Sequence, residues 1–276
     1  MKASVVIPTY NRGKILIKTF PYWQKQTVKD FEIVIINDNS KDDTSSLIKQ
    51  YISSNSGLRI RLIENLENMG SADGRNKGAL FSDSEVIIYT DDDAFPSPDF
   101  IKIHLFYHKN YPNAIVRGPI INFSDLSFID LFFKNPLRRS LILGIKGYSG
   151  NYFCTANVSI RRELIIKAGM FNLDFKRWQD AEFGYRLRKL GIKRFFDYGA
   201  WVLHYKTPLA DPYFHYYNEG KYAAKLLKHY PNFSVMLRTG FLPFYPFWKF
   251  FNFFKFLKIF FTPYAKGFLE EISKKF

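Results

Sequence analysis

Glu85-Val86-Ile87-Ile88-Tyr89-Thr90 runs directly into Asp91-Asp92-Asp93. The run shows no polar/apolar alternation, so both its faces are buried, as in a parallel strand covered by helices on either side. Three carboxylates then stand at its carboxyl end, which is where open parallel sheets receive their ligands. Adjacent carboxylates in a half-buried site repel unless a cation neutralises them. Asp91-x-Asp93 can hold a divalent cation, which in turn binds phosphate oxygens. A helix N-cap cluster ahead of Pro98-Asp99 accounts for the same residues without a metal.

Outward from this stretch, the first half of the chain repeats one unit. Val5-Val6-Ile7 reads as a strand and Lys14 to Gln26 as the helix after it. Phe31-Glu32-Ile33-Val34-Ile35-Ile36 reads as a second strand, ending at Asn37-Asp38-Asn39-Ser40, and Asp42-Asp43-Thr44 caps a helix through about Tyr51. Leu58 to Ile63 is a further strand and Ser71 to Phe81 a further helix. The order βαβαβαβ makes an α/β fold with a mostly parallel sheet flanked by helices. Its strand ends, Thr9-Tyr10-Asn11-Arg12, Asn37-Asp38-Asn39-Ser40 and Asp91-Asp92-Asp93, are expected to line one acidic cleft. No Gly-x-Gly-x-x-Gly or P-loop sequence accompanies them, which counts against a dinucleotide or P-loop site.

Composition narrows the function classes. Of 276 residues 47% are hydrophobic, enough for a core and too many for a disordered chain. The excess of 40 Lys+Arg over 25 Asp+Glu, +15 in all, points to an anionic partner. Nucleic acid is disfavoured, because no zinc finger, RNP motif or arginine-rich arm is present and an acidic cleft repels phosphate without metal. The lone Cys154 excludes an intramolecular disulfide and a cysteine zinc site and suits a reducing compartment. The amino terminus does not read as a signal peptide, and no charge-free apolar run reaches the length of a membrane span.

The ordered set of motifs resembles the inverting glycosyltransferases of family 2, with the GT-A fold. Val5 to Arg12 looks like that family's opening strand and Ile36-Asn37-Asp38-Asn39-Ser40 like its second strand end. Asn68-Met69-Gly70 through Gly74-Arg75-Asn76-Lys77-Gly78 is similar to the helix with an Ala-Arg-Asn signature, and Thr90-Asp91-Asp92-Asp93 to the DxD motif. Asn157, Arg161-Arg162-Glu163 and Gly169-Met170-Phe171 resemble the acceptor-side block. Trp178-Gln179-Asp180-Ala181-Glu182 through Leu187 resembles the catalytic acidic motif.

The resemblance implies transfer of a sugar, with inversion, from a nucleotide-sugar donor, UDP-linked, to a hydroxyl of a glycan or lipid-linked glycan. It implies that Thr9, Asp38 and Arg75 serve the nucleotide together with Asp91 and Asp92, that Asp93 is the principal metal ligand, and that Asp180 is the general base. His204 completes the metal site in this reading, and neutral imidazole suits manganese better than magnesium; a structural histidine is the other reading. Glu182 binds acceptor or pairs with Arg186 at i+4, and Trp178 stacks on a sugar or packs in the core. His104, His108, His215 and His229 show no ligand spacing and are expected at the surface. Gln179, Asn37, Asn39 and Asn172 depart from the family pattern and leave Asp180 and Asp38 in place. A non-catalytic glycan- or nucleotide-binding module on the same fold is the alternative.

Past residue 205 the composition shifts, and the chain reads as a sugar-transfer domain over 1–235 and an extension over 236–276. At 100° per residue, Phe250, Phe253, Phe254, Leu257, Phe260 and Phe261 fall within about 120°, with Lys255 and Lys258 opposite. Such a C-terminal amphipathic helix suits the membrane interface, with the alternative that its Phe face packs on the protein itself. Pro243, Pro246 and Pro263 are expected to bound it to one short helix. Phe128 to Leu143, with Lys134, Arg138 and Arg139, reads as a second membrane contact or a lid. The expected location is cytoplasmic, peripheral at the inner face of the cell membrane.

Overall fold

Apolar runs buried on both faces become the centre of a sheet. The computed structural model describes residues 2–146, 152–207, 209–239 and 255–274. The expected strands are β1 (Ala3–Thr9), β2 (Phe31–Asn37), β3 (Ile60–Glu64) and β4 (Val86–Thr90), and between them run α1 (Gly13–Gln24), α2 (Thr44–Ser54) and α3 (Ser71–Phe81). Then follow β5 (Ala94–Pro96), α4 (Phe100–Asn110), β6 (Ala114–Arg117), β7 (Ile120–Phe123), α5 (Ser127–Lys134), α6 (Pro136–Lys146), β8 (Asn157–Arg161) and α7 (Arg162–Lys167). The remainder comprises α8 (Gln179–Lys189), β9 (Lys193–Phe196), β10 (Val202–Tyr205), α9 (Pro212–His229), α10 (Phe233–Arg238) and α11 (Lys255–Ser273).

The main sheet has the order β3-β2-β1-β4-β8-β6-β9. It is mixed and mostly parallel: only β8 runs antiparallel, to both β4 and β6. A second sheet, β5-β10-β7, pairs β10 antiparallel to β5 and parallel to β7. Helix α3 lies close on β1, because a Cβ at Gly78 would stand 2.1 Å from Cγ1 of Val6. At the start of α2 the N-cap residue is Asp43, whose side chain makes no capping hydrogen bond; Asp42 instead accepts the N–H of Thr44 at 3.0 Å.

Two compact units divide the chain: Met1–Leu173 with Phe183–Thr207, which holds both sheets, and Asp174–Glu182 with Pro208–Phe276. In the second unit α9 and α11 meet backbone to backbone. A Cβ on Gly220 would lie 1.9 Å from the carbonyl oxygen of Tyr264, and one on Gly267 2.0 Å from that of Tyr217. Pro263 does not end the helix as expected; α11 continues through it to Ser273. The packing of Gly267 and buried Phe268 on α9 holds the helix together beyond the missing proline N–H. The aromatic stretch before α11, with Lys249, Phe250, Phe253, Phe254, Pro243 and Pro246, lies outside the described residues, as do the side chains of Lys255, Leu257, Lys258, Phe260 and Phe261.

His104 and His108 are not at the surface; they are 0% and 1% exposed. Their i,i+4 spacing puts them on the face of α4 that also buries Phe100, and that face is turned to the sheet. The Ser159 hydroxyl on β8 lies 2.7 Å from Nδ1 of His104 and 2.7 Å from Nε2 of His108. Burial pushes the pKa of His104 down to about 3 and that of His108 down to about 4. Ile129 and Phe132 of α5 are likewise buried, with Phe132 5.0 Å from the ring of Trp201, so this apolar face packs on the protein's own smaller sheet.

Candidate active site

The carboxyl ends of β1, β2 and β4 meet as the sequence suggested. The carbonyl of Thr9 accepts the N–H of Asp38 at 2.9 Å. Asn11 and Asn39 take positive φ, 54° and 59°, a conformation asparagine tolerates better than most residues. They stand at the turns where the two loops interlock: the Asn11 N–H donates to Oγ of Ser40 at 2.9 Å, and Lys41 N–H donates to Oδ1 of Asn11 at 2.7 Å. Asp38 is buried, and its carboxylate gathers the loop ahead of α3, accepting from Nδ2 of Asn65 at 2.7 Å and from the N–H groups of Met69 at 2.9 Å and Gly70 at 2.7 Å.

The three aspartates do not act alike. Asp91, Asp93 and His204 offer ligand atoms that all lie within 4.8 Å of one another. Nε2 of His204 is 2.9 Å from Oδ1 of Asp93 and 3.4 Å from Oδ2 of Asp91. Asp92 turns the other way: its Oδ2 accepts from Oγ1 of Thr9 at 2.7 Å and its Oδ1 from Nε of Arg12 at 2.8 Å. The placement of His204 follows from register. β10 pairs with β5 so that His204 is opposite Ala94, and the Tyr205 N–H donates to the carbonyl of Asp93 at 3.0 Å. From the other side β7 sets Asn122 beside His204, with Oδ1 3.0 Å from Nδ1. An Asn oxygen on Nδ1 fixes the tautomer that leaves Nε2 as the ligand atom.

Electrostatics separate the same groups. Burial works against the charge of His204, but Asp91 and Asp93 outweigh it and raise its pKa to about 9. Burial would raise Asp91, yet His204 and Arg75 hold it at about 2. Burial, reinforced by Asp93 and Asp91, pushes Asp92 up to about 7 against the pull of Arg12 and Thr9. Arg75, buried on α3, reaches Oδ1 of Asp91 at 3.3 Å and lies 5.9 Å from the Phe171 ring centre. Arg12 contacts Asp92 and Asp93 together and also donates to Oγ1 of Thr207 at 3.1 Å.

These donors fit a divalent cation. Oδ1 of Asp93 is buried with no hydrogen-bond partner, despite its nearness to His204. Two carboxylates and an imidazole are a donor set that manganese and magnesium accept, manganese more readily with nitrogen.

Asp180 is half-buried in the first turn of α8. It belongs with the second unit, as do Trp178 and Glu182. Trp178 precedes α8 at φ 60°, an outlier for so bulky a residue. Its indole N–H donates to Oε2 of Glu219 at 2.8 Å, and the other oxygen of Glu219 receives Arg177 at 2.7 Å. Glu182 accepts the hydroxyl of Tyr230 at 2.7 Å. Arg186 donates to the carbonyls of Ala168 and Met170.

The spacing Asp91-x-Asp93 suits a cation and the resemblance sets Asp91 with the nucleotide; in the structure its carboxylate lies beside Asp93 and His204. The resemblance assigns Arg12 no role, yet it contacts Asp92 and Asp93. A signal for Arg12 existed: β1 and β4 are parallel neighbours, which brings residue 12 beside the acidic run.

A mixed, mostly parallel sheet with an Asp-x-Asp and a histidine at its strand ends defines an α/β protein of the GT-A class. The chain belongs to glycosyl transferase family 2, whose model matches residues 4–169. It is similar to the validoxylamine A glucosyltransferase of Streptomyces hygroscopicus subsp. jinggangensis, 27% identical over 222 residues, 68% of this chain and 52% of that protein. A Campylobacter jejuni protein, the GalNAc(5)-diNAcBac-PP-undecaprenol beta-1,3-glucosyltransferase, is 34% identical over 92 residues, 33% of this chain and 29% of its own. Thus the chain spans about half or less of these relatives' length. Among solved structures, the mannosyltransferase PcManGT from Pyrobaculum calidifontis, in complex with GDP-Man and Mn2+, aligns with a TM-score of 0.68 at 14% identity, covering 100% of this chain and 88% of that one.

Proposed function

We propose that this chain transfers a sugar, with inversion, from a UDP-linked donor to a hydroxyl of a glycan or lipid-linked glycan. The observation that carries the reading is the cluster of Asp91, Asp93 and His204 at the strand ends of a family 2 chain. These three residues would hold Mn2+ or Mg2+, which when bound supplies positive charge for the departing diphosphate. Thr9, Asp38 and Arg75 shape the nucleotide side: Asp38 fixes the loop at Met69 and Gly70, and Arg75 brings a guanidinium to the rim of the acidic cluster.

Asp180 is the general base in this reading. A sugar hydroxyl is a poor nucleophile until a positioned carboxylate takes its proton. As that proton moves to Asp180, the acceptor oxygen bonds to the anomeric carbon, and the bond to the nucleoside diphosphate breaks on the opposite face. The lipid-linked acceptor is supported by the undecaprenol-linked substrate in the name of the Campylobacter relative. Peripheral attachment at the inner membrane face is supported by the aromatic, lysine-bearing sequence before and within α11. Among the described residues no helix is long and apolar enough to cross a membrane.

Calorimetric titration with UDP, GDP, CMP and TDP, each with and without Mn2+, tests the reading in wild type and Asp93→Ala. UDP binding that depends on Mn2+ and is lost in Asp93→Ala is the expected result. Absence of nucleotide binding under every condition would overturn it.

A further inference from the structure

We propose that Arg12 is a built-in counter-cation of the metal site, which keeps the site's affinity for a bare cation low until an anionic diphosphate arrives. This rests on the metal-site reading above. Arg12 forks across two neighbouring aspartates, Nε to Oδ1 of Asp92 at 2.8 Å and Nη2 to Oδ2 of Asp93. It therefore takes Oδ2 of Asp93 and leaves Oδ1, which accepts no hydrogen bond, at 2.9 Å from Nε2 of His204. Arg12 and a cation can thus share Asp93, one on each oxygen. Sharing has an electrostatic cost, because a guanidinium touching a ligand carboxylate repels a divalent ion bound to the same group.

The setting makes that repulsion strong. The side chains of Asp92 and Asp93 are each 9% exposed, so water screens the contact poorly, whereas Arg12 at 30% keeps one edge toward solvent. Around the three carboxylates already stand the guanidinium groups of Arg12 and Arg75. A bare cation meets carboxylates whose charge is already partly balanced by arginine. A diphosphate entering with it restores the missing negative charge.

The test measures Mn2+ binding to the full chain by the EPR signal of free Mn2+ at fixed pH, without nucleotide and with UDP or GDP. In wild type the affinity for Mn2+ should be weak alone and at least about ten-fold tighter with the nucleoside diphosphate. Arg12→Gln should bind Mn2+ alone about ten-fold more tightly than wild type, with a smaller gain from nucleotide. Arg12→Lys, which keeps the charge and loses the fork, should behave as wild type. The proposal is overturned if Arg12→Gln binds Mn2+ no more tightly, or if Arg12→Lys matches Arg12→Gln, which would make the effect one of geometry. Should Arg12→Gln not fold, the wild-type gain with diphosphate decides: its absence overturns the proposal. If wild type binds no Mn2+ even with nucleotide, the metal-site reading itself fails.

Discussion

Nε2 of His204 and Oδ1 of Asp93 stand 2.9 Å apart, brought together by the pairing of β10 with β5. Without a cation the pair is a protonated imidazole beside carboxylates, with the His204 pKa raised to about 9. A metal at Nε2 has to displace that proton. Mn2+ affinity should therefore rise by roughly ten-fold per pH unit up to about pH 9 and flatten above it. Calorimetry in two buffers of different ionisation heat should show about one proton released per Mn2+ at neutral pH. His204→Ala should abolish the slope. In the absence of metal the sign for stability is opposite. The raised pKa stabilises the fold fully below the unfolded value near 6.5, and that contribution is lost as pH climbs through about 9.

Asp180→Asn removes the proposed base while keeping shape and size. Affinity for UDP with Mn2+ should be unchanged, and turnover on a true acceptor should fall by about 10²- to 10⁴-fold. Retention of full turnover would place the base on another residue.

The buried histidines make the first unit acid-sensitive. His104 and His108 are held neutral, with pKa values near 3 and 4, whereas in the unfolded chain they take up protons below about 6.5. Their contribution to stability is complete above pH 6.5 and is lost as pH falls from there through 4 toward 3, on the order of 3 kcal/mol per histidine. Urea melts between pH 7 and 4 should show the midpoint dropping. His108→Leu should flatten the part of that drop that belongs to His108.

Gly220→Leu should unfold the contact between α9 and α11, since any side chain there meets the carbonyl of Tyr264. The expected cost is about 1–3 kcal/mol, or outright loss of the helix pair, read by thermal melting. Nucleotide titration of the same variant would show which properties depend on this helix pair.

The strands β1, β2 and β4 were legible because burial on both faces leaves an uninterrupted apolar run, a signal that needs no knowledge of neighbours. The helix expected over Ser71–Phe81 has those bounds in the structure. The function of the strand ends came from the order of motifs. What stayed hidden depends on pairing between distant segments. His104 and His108, expected at the surface for want of ligand spacing, lie at i+4 and i+8 from Phe100 on the buried face of α4. Asp91 and Asp92 are adjacent in sequence, and only the turn into β5 decides that one faces His204 and the other Thr9. Pro263 was read as a terminator because a proline forbids one hydrogen bond, while the glycine contact that compensates lies on another helix.

The β5–β10 pairing also fixes when the site comes into being. Asp91, Asp92 and Asp93 leave the ribosome long before His204, and no local contact can stand in for β10. During that interval the acidic run belongs to a nascent chain whose first four strands can already assemble, with Arg12 from β1 beside it. Closing so long a loop carries an entropic cost, so the juxtaposition of Asp91 and Asp93 with His204 is expected among the last features to form as the chain matures.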